Sequence, residues 1–195
     1  MSDRPHEDPP SAFIVEWVNA LRTPNAAGGR ALDVAMGRGR HAEVLANAGF
    51  RVFGVDWQID AGHALRRVAG RARLRAWIAD LTSYPLPADA FDLVVVTRYL
   101  QRDLFDSLRR AVVPGGVVLY ETFTEAQHEL AWGPRSPDHL LGALELRSAF
   151  DTFDVLFYEE VRRPEAVARL AARRRNRSDS KYSTGSDTLP GRAAP

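Results

Sequence analysis

Four consecutive apolar residues, Leu93 to Val96 in FDLVVVTRYL, constrain the fold most. As a strand, such a run leaves neither face to water, so both faces must be covered. Sheets covered on both faces are parallel ones whose connecting helices pack above and below. The rest of the chain supplies the alternation such a sheet needs. ALDVAM reads as a strand, followed by the helix HAEVLANAG, which Gly49 closes. FRVFGVD is a second strand, and a helix is predicted from Gln58 to Ala69. RLRAWIAD is a third strand, and FDLVVVTRYL begins with a fourth. Leu104 to Val112 is predicted helical, GGVVLYETF is a fifth strand, and a long Gly-, Pro- and Ser-rich loop runs through GPRSPD. A helix is predicted from His139 to Phe150. FDVLFYEEV and AVARLAAR read as two last strands joined at RRPE, although the second is also composed of good helix formers. At the N-terminus Ser11 is a helix cap, and Ile14, Trp17, Val18 and Leu21 share one face of the helix it starts.

A chain of 195 residues is one domain's worth. The domain is expected over residues 11–173, between a Pro-rich tail at 1–10 and a disordered tail at 174–195 that has almost no large apolar residues. The formal net charge is +1, which gives no strong field toward nucleic acid or an anionic surface. There is no cysteine, which removes disulfides, Cys-type zinc sites and a thiol nucleophile. MSDRPHEDPP lacks the apolar core of a signal peptide, and no apolar run approaches the length of a membrane span. The expectation is a soluble, cytoplasmic protein with no metal site.

In a doubly wound sheet the ligand lies beyond the carboxyl ends of the strands, where the strand order reverses. The stretch Asp33 to Ala42, DVAMGRGRHA, leaves a strand and opens a helix, which is where such a ligand is held. From Gly37 it fits G-x-G-x-x-G/A, the turn that holds a dinucleotide pyrophosphate. Gly37 and Gly39 permit positive φ and close backbone approach. Asp56, at the end of the second strand, is placed to accept both hydroxyls of an adenosine ribose. Three features separate a methyl donor from a nicotinamide cofactor. Asp33 lies inside the strand before the loop, where it can anchor loop amides or meet an ammonium group, and where it would repel a pyrophosphate. Asp80 ends the third strand, where it can accept an adenine amino group. Beyond the fifth strand the chain is too short for the catalytic domain of a dehydrogenase.

In order, ALDVAMGRGRHA, GVD, ADL, FDLVVVTRYL and PGGVVLYETF resemble the class I S-adenosylmethionine (SAM)-dependent methyltransferases over residues 11–173. The resemblance implies a Rossmann-like three-layer α/β sandwich with a mostly parallel, seven-stranded sheet and an antiparallel last strand. It also implies that SAM is held by Asp33, Ala35, Gly37, Gly39, Asp56, Trp57, Asp80, Leu81 and Thr97. RYL after the fourth strand and YETFT after the fifth are nearest to small bacterial enzymes of the tellurite-resistance and thiol methyltransferase type. The chain departs from the family's pattern at Met36, where a small residue or Cys is common and where Met would crowd the methionine tail of SAM. Gln101 stands where His is expected, and Ala143-Leu144 replaces a Pro-Gly turn.

Methyl transfer from a sulfonium is an in-line displacement, in which positioning counts for more than acid–base chemistry. Arg98 and Tyr99 follow the fourth strand and are the candidates for positioning a small-molecule acceptor. Arg98 has a donor fork for an anion. Tyr99 has a hydroxyl, and a ring that can face the sulfonium. Glu121 is a further candidate, to orient a substrate or bind a cation. His41 is either a base or a residue that shapes the loop. His128, Trp132 and His139 flank the long loop and are the lid candidates. Arg66, Arg67, Arg71, Arg73 and Arg75, with Arg173 to Arg175 and Arg177, raise RNA methylation as an alternative. A SAM-fold sensor without turnover is a second alternative, and an NAD(P)-dependent oxidoreductase a third.

Overall fold

The computed structural model describes residues 9–21, 28–58 and 74–176. The helix predicted from Gln58, most of the turn around Thr23, four of the clustered arginines from Arg66 to Arg73, and residues 177–195 lie outside them. Five strands form the parallel part of one sheet: β1 (Arg30–Val34), β2 (Arg51–Asp56), β3 (Leu74–Ile78), β4 (Phe91–Thr97) and β5 (Val112–Phe123). The hairpin β6 (Phe153–Val161) and β7 (Val167–Arg174) completes it. The order is β3-β2-β1-β4-β5-β7-β6. β7 is antiparallel to both its neighbours, so the expected antiparallel last strand is set between β5 and the edge strand β6.

The run Leu93–Val96 shows why both faces must be covered. Leu93 and Val95 enter a core with Phe13, Ile14, Leu45 and Val52, beneath α1 (Ala12–Ala20) and α2 (Arg40–Asn47). Val94 and Val96 enter the opposite core with Leu108, Tyr120, Leu146 and Phe150, beneath α3 (Phe105–Ala111) and α4 (Glu145–Ala149). Each of the four is at most 1% exposed. Truncating one such side chain to Ala typically costs about 2–5 kcal/mol, so this strand carries much of the fold's stability.

Helix α1 begins at Ser11, whose side chain accepts from the Ile14 amide at 3.5 Å. Helix α2 begins at Gly39, which has a φ of 75° and no side-chain cap, leaving the first turn's amides to other partners. AVARLAAR forms β7, not a helix. Pairing on both sides and full burial of Ala168, Leu170, Ala171 and Ala172 override its local helix preference.

The helix predicted from His139 to Phe150 is much shorter and forms only at Glu145–Ala149. Leu141 is drawn to the end of the sheet instead: its amide donates to Phe123 O and its carbonyl accepts from the Glu125 amide, both at 2.9 Å. Leu144, with φ 57°, turns the chain into the helix afterward. The fifth strand starts at Val112, directly from α3, because Val112 pairs with Phe91 before a register shift.

The sheet order reverses between β1 and β4. The chain leaves β1 through the glycine loop and β4 through Thr97 and Arg98, so both exits open on the same switch point.

Candidate active site

Ala35, Gly37 and Gly39 all have positive φ, of 53°, 50° and 75°. The loop they form is tied to β2. The Met36 amide donates to Val55 O at 3.2 Å, and the Gly37 amide donates to Asp56 Oδ2 at 2.8 Å. Asp56 Oδ1 accepts from the Gln58 amide at 3.1 Å. Asp56 thus joins the glycine loop to the turn after β2, and each of its oxygens keeps a further lone pair for a hydroxyl donor. A Cβ on Gly37 would meet no atom within 4 Å, so the space beside the loop is open.

Asp33 is 1% exposed and its Oδ2 has no hydrogen-bond partner. Burial pushes its carboxyl up to about 7, against a hydrogen bond from the Ala42 amide and the nearby charge of Arg40. A buried carboxylate oxygen without a donor is costly. It fits a cationic ammonium such as that of SAM and disfavours a pyrophosphate. Its enclosure means that the loop must part for a cation to reach it.

Asp80 is exposed and folds its own turn, accepting from the Thr82 amide at 2.9 Å, Thr82 Oγ1 at 2.6 Å and Ser83 Oγ at 3.3 Å. The Thr82 bonds hold its carboxyl below the usual range. Leu81 lies in that turn, half-buried, and Trp57 follows Asp56 with 76% of its surface exposed. Tyr99 connects these parts. Burial raises its hydroxyl pKa, and the charges of Asp80 and Asp56 add to the effect.

His41 is buried and fixed in one tautomer. Its Nε2 accepts from the Ser11 amide at 3.0 Å, so the ring proton is on Nδ1, which faces Thr97 Oγ1 at 3.1 Å. Burial, with the charges of Arg40 and Arg98, lowers its pKa to about 3. It is a neutral pin joining the start of α1, the start of α2 and the end of β4, and is not poised as a base. Gln101 Oε1 accepts from the Tyr99 hydroxyl, and Gln101 Nε2 is buried without a partner.

Two sequence expectations are corrected here. Met36 does not crowd the loop's ligand side. It is 4% exposed in the core with Phe13 and Leu45, and its thioether lies over Gly54. The Glu121 carboxylate is already engaged: it is 6% exposed and accepts from Arg169 Nε at 2.6 Å. Arg169 also reaches Glu159 at 2.8 Å, and neither partner had a local signal in the sequence.

Arg98 lies over the Phe123 ring at 5.9 Å and pairs with Glu165 at 2.5 Å. Of the expected lid residues, Trp132 stacks edge-on against Phe123 at 6.2 Å, while His128 and His139 are exposed. Gln127, which sequence reasoning missed, is fully buried and fixes this loop. It donates to Trp132 O and accepts from the Ala166 amide, both at 2.8 Å. Past β4 and β5 lies a cleft of about 280 Å³, lined by Pro9, Ser11, Arg40, Arg98, Glu121 and Glu165 among others. Among the described residues no group of three or more His, Cys, Asp or Glu could hold a metal. Among them, too, no helix is long and apolar enough to cross a membrane.

A methyltransferase-domain family model matches residues 31–116, from β1 into β5. A demethylmenaquinone methyltransferase of Clavibacter sepedonicus is 34% identical over 106 residues, 50% of this chain and 42% of that protein. The chain therefore spans less than half the length of that relative. A SAM-dependent methyltransferase from Mesorhizobium loti has the same fold, with a TM-score of 0.63 at 22% identity over 82% of this chain and 98% of that one. TehB from Haemophilus influenzae matches with a TM-score of 0.65 at 15% identity, over 83% of this chain and 61% of that one, a likeness of fold alone. The sheet order and the glycine loop at its switch point define a Rossmann-like cofactor-binding domain. Within it, residues 31–116 are similar to a methyltransferase domain, and the solved methyltransferase from Mesorhizobium loti shares the fold.

Proposed function

We propose that the protein transfers the methyl group of SAM to a small-molecule acceptor by in-line displacement. The observation that carries the reading is Asp33: a buried, unpartnered carboxylate oxygen behind a left-handed glycine loop at the switch point. Asp33, Ala35, Gly37 and Gly39 would hold the methionine end, with Thr97 beside them. Asp56 and Trp57 would take the ribose, and Asp80 and Leu81 the adenine. When bound, SAM supplies a methyl carbon on a positive sulfur. An acceptor lone pair attacks that carbon as the carbon–sulfur bond breaks with its electrons going to sulfur. Arg98 and Tyr99 orient the acceptor, and Tyr120 steadies them by donating to Tyr99 O at 2.9 Å. Neither His41 nor Gln101 is suited to take a proton, so the reading favours an acceptor already deprotonated or one whose proton leaves to water.

The Clavibacter relative is named for a small-molecule acceptor, demethylmenaquinone, which supports the acceptor class. Ion pairing counts against the RNA reading: Arg174 is bound to Asp89 and Arg175 to Asp154. With methyl-labelled SAM, small-molecule and RNA fractions of a cell extract serve as competing acceptors. Label is expected in the small-molecule fraction. Label confined to RNA would overturn the acceptor class, and bound SAM with no label anywhere would favour a sensor.

A further inference from the structure

We propose that the acceptor carries an anionic group such as a carboxylate, and that Arg98 anchors it by exchanging its internal partner Glu165 for it. This rests on the methyltransferase reading above and names the substrate class of the same site.

The backbone is the first argument. Arg98 has a φ of 52°, a left-handed conformation that glycine or asparagine takes at lower cost. The turn is held on both sides, by the Arg98 amide donating to Glu121 O at 2.8 Å and by Tyr120 bonding Tyr99 O. A strained residue with a long side chain persists where the position itself is needed, and such residues cluster at ligand sites. The ion pair with Glu165 adds little to fold stability, since its side chains are partly exposed, at 33% and 24%.

Placement is the second argument. Arg98 opens into the cleft beyond the carboxyl ends of β4 and β5, on the side where the sheet order has reversed. Two carboxylates line that cleft, and they differ. Glu121 is buried and committed to Arg169. Glu165 sits in the turn between β6 and β7, at the mouth, and is the more exposed of the two. Its carboxylate occupies the guanidinium face that an incoming carboxylate would use. The planar fork of an arginine suits a two-point contact with such a group.

The test is calorimetry on the full chain loaded with S-adenosylhomocysteine, titrated with 4-hydroxybenzoate and with its neutral analogue 4-hydroxybenzamide. The benzoate is expected to bind at least tenfold more tightly than the amide. Arg98→Asn is expected to abolish that difference while its melting temperature holds or rises, since strain is relieved. Glu165→Gln, which removes the competing internal anion, is expected to tighten benzoate binding severalfold. A merely structural ion pair would lower the melting temperature of both variants and leave the preference unmoved. Equal binding of the two probes, binding of neither, a preference that survives Arg98→Asn, or weaker benzoate binding in Glu165→Gln would each overturn the proposal. If S-adenosylhomocysteine itself fails to bind, the methyltransferase reading fails separately. The same comparison on the unloaded protein then decides the anion site.

Discussion

Replacing Asp33 with asparagine is expected to stabilise the protein at pH 7 by about 1–3 kcal/mol and to cost it more than tenfold in SAM affinity. The acid is enclosed and its Oδ2 is unpartnered, and burial lifts its carboxyl from 3.8 to about 7. A shift of that size is a preference of roughly 4 kcal/mol for the neutral form in the folded chain. An asparagine carries no such penalty, but leaves a buried amide group short of a partner, at roughly 1–3 kcal/mol. The pH dependence has a definite sign. Below pH 3.8 the folded and unfolded chains both hold the proton. Between 3.8 and about 7 only the folded chain holds it, so this group's contribution to stability falls as pH rises through that window. The variant's advantage at pH 7 should therefore shrink as pH falls and be gone by about pH 4. Urea unfolding of both proteins at several pH values measures this. A variant less stable at pH 7, or a gap that does not change with pH, would contradict the assignment. The affinity loss follows because a buried charge pair with the ammonium is no longer available.

Gly54→Ala is expected to destabilise the fold by about 3 kcal/mol, the upper part of the range for overpacking a core. Gly54 lies within β2, and a Cβ there would sit 2.0 Å from the Met36 sulfur and 2.9 Å from its methyl carbon. Met36 cannot swing out to make room, because it is 4% exposed among Phe13, Ile14, Leu45 and Val52. Met36→Ala alone leaves a cavity and is expected to cost about 2–5 kcal/mol. Combined, the two changes should partly cancel, with a coupling of at least about 1 kcal/mol in a double-mutant cycle read by urea unfolding. Additive costs would mean that the two side chains do not compete for the same space. The pair also explains the departure at Met36: the bulk that the loop gains there is taken up by the missing side chain in β2.

The parts of the site that were legible in the sequence are those encoded within one strand and its following turn. The glycine loop, Asp56 after β2, Asp80 after β3 and Arg98 after β4 could be placed because a parallel sheet brings the ends of its strands together. What could not be read depends on partners far apart in the chain. Arg98 and Glu165 are separated by 67 residues, Arg169 and Glu121 by 48, and Gln127 and Ala166 by 39. No periodicity or turn signal links such positions. His41 was ambiguous for the same reason, since its tautomer is set by the Ser11 amide 30 residues away. The helix expected from His139 failed because propensity does not register Leu141 pairing with the end of β5. At β7 the strand expected from the sequence forms, and burial between two strands decides against the helix that its composition also allowed. Arg98's left-handed φ had no sequence signal at all, since arginine carries no preference for it.

The central claim, that the loop from Ala35 to Gly39 holds a methyl donor, is tested most directly by calorimetric titration of the protein with SAM and, separately, with NADH. Saturable binding of SAM with no heat for NADH is the expected result. Asp56→Ala, measured alongside, should weaken SAM by about 1–3 kcal/mol through the hydrogen bonds it removes. Saturable NADH binding without SAM binding would make the loop a dinucleotide turn and contradict the account.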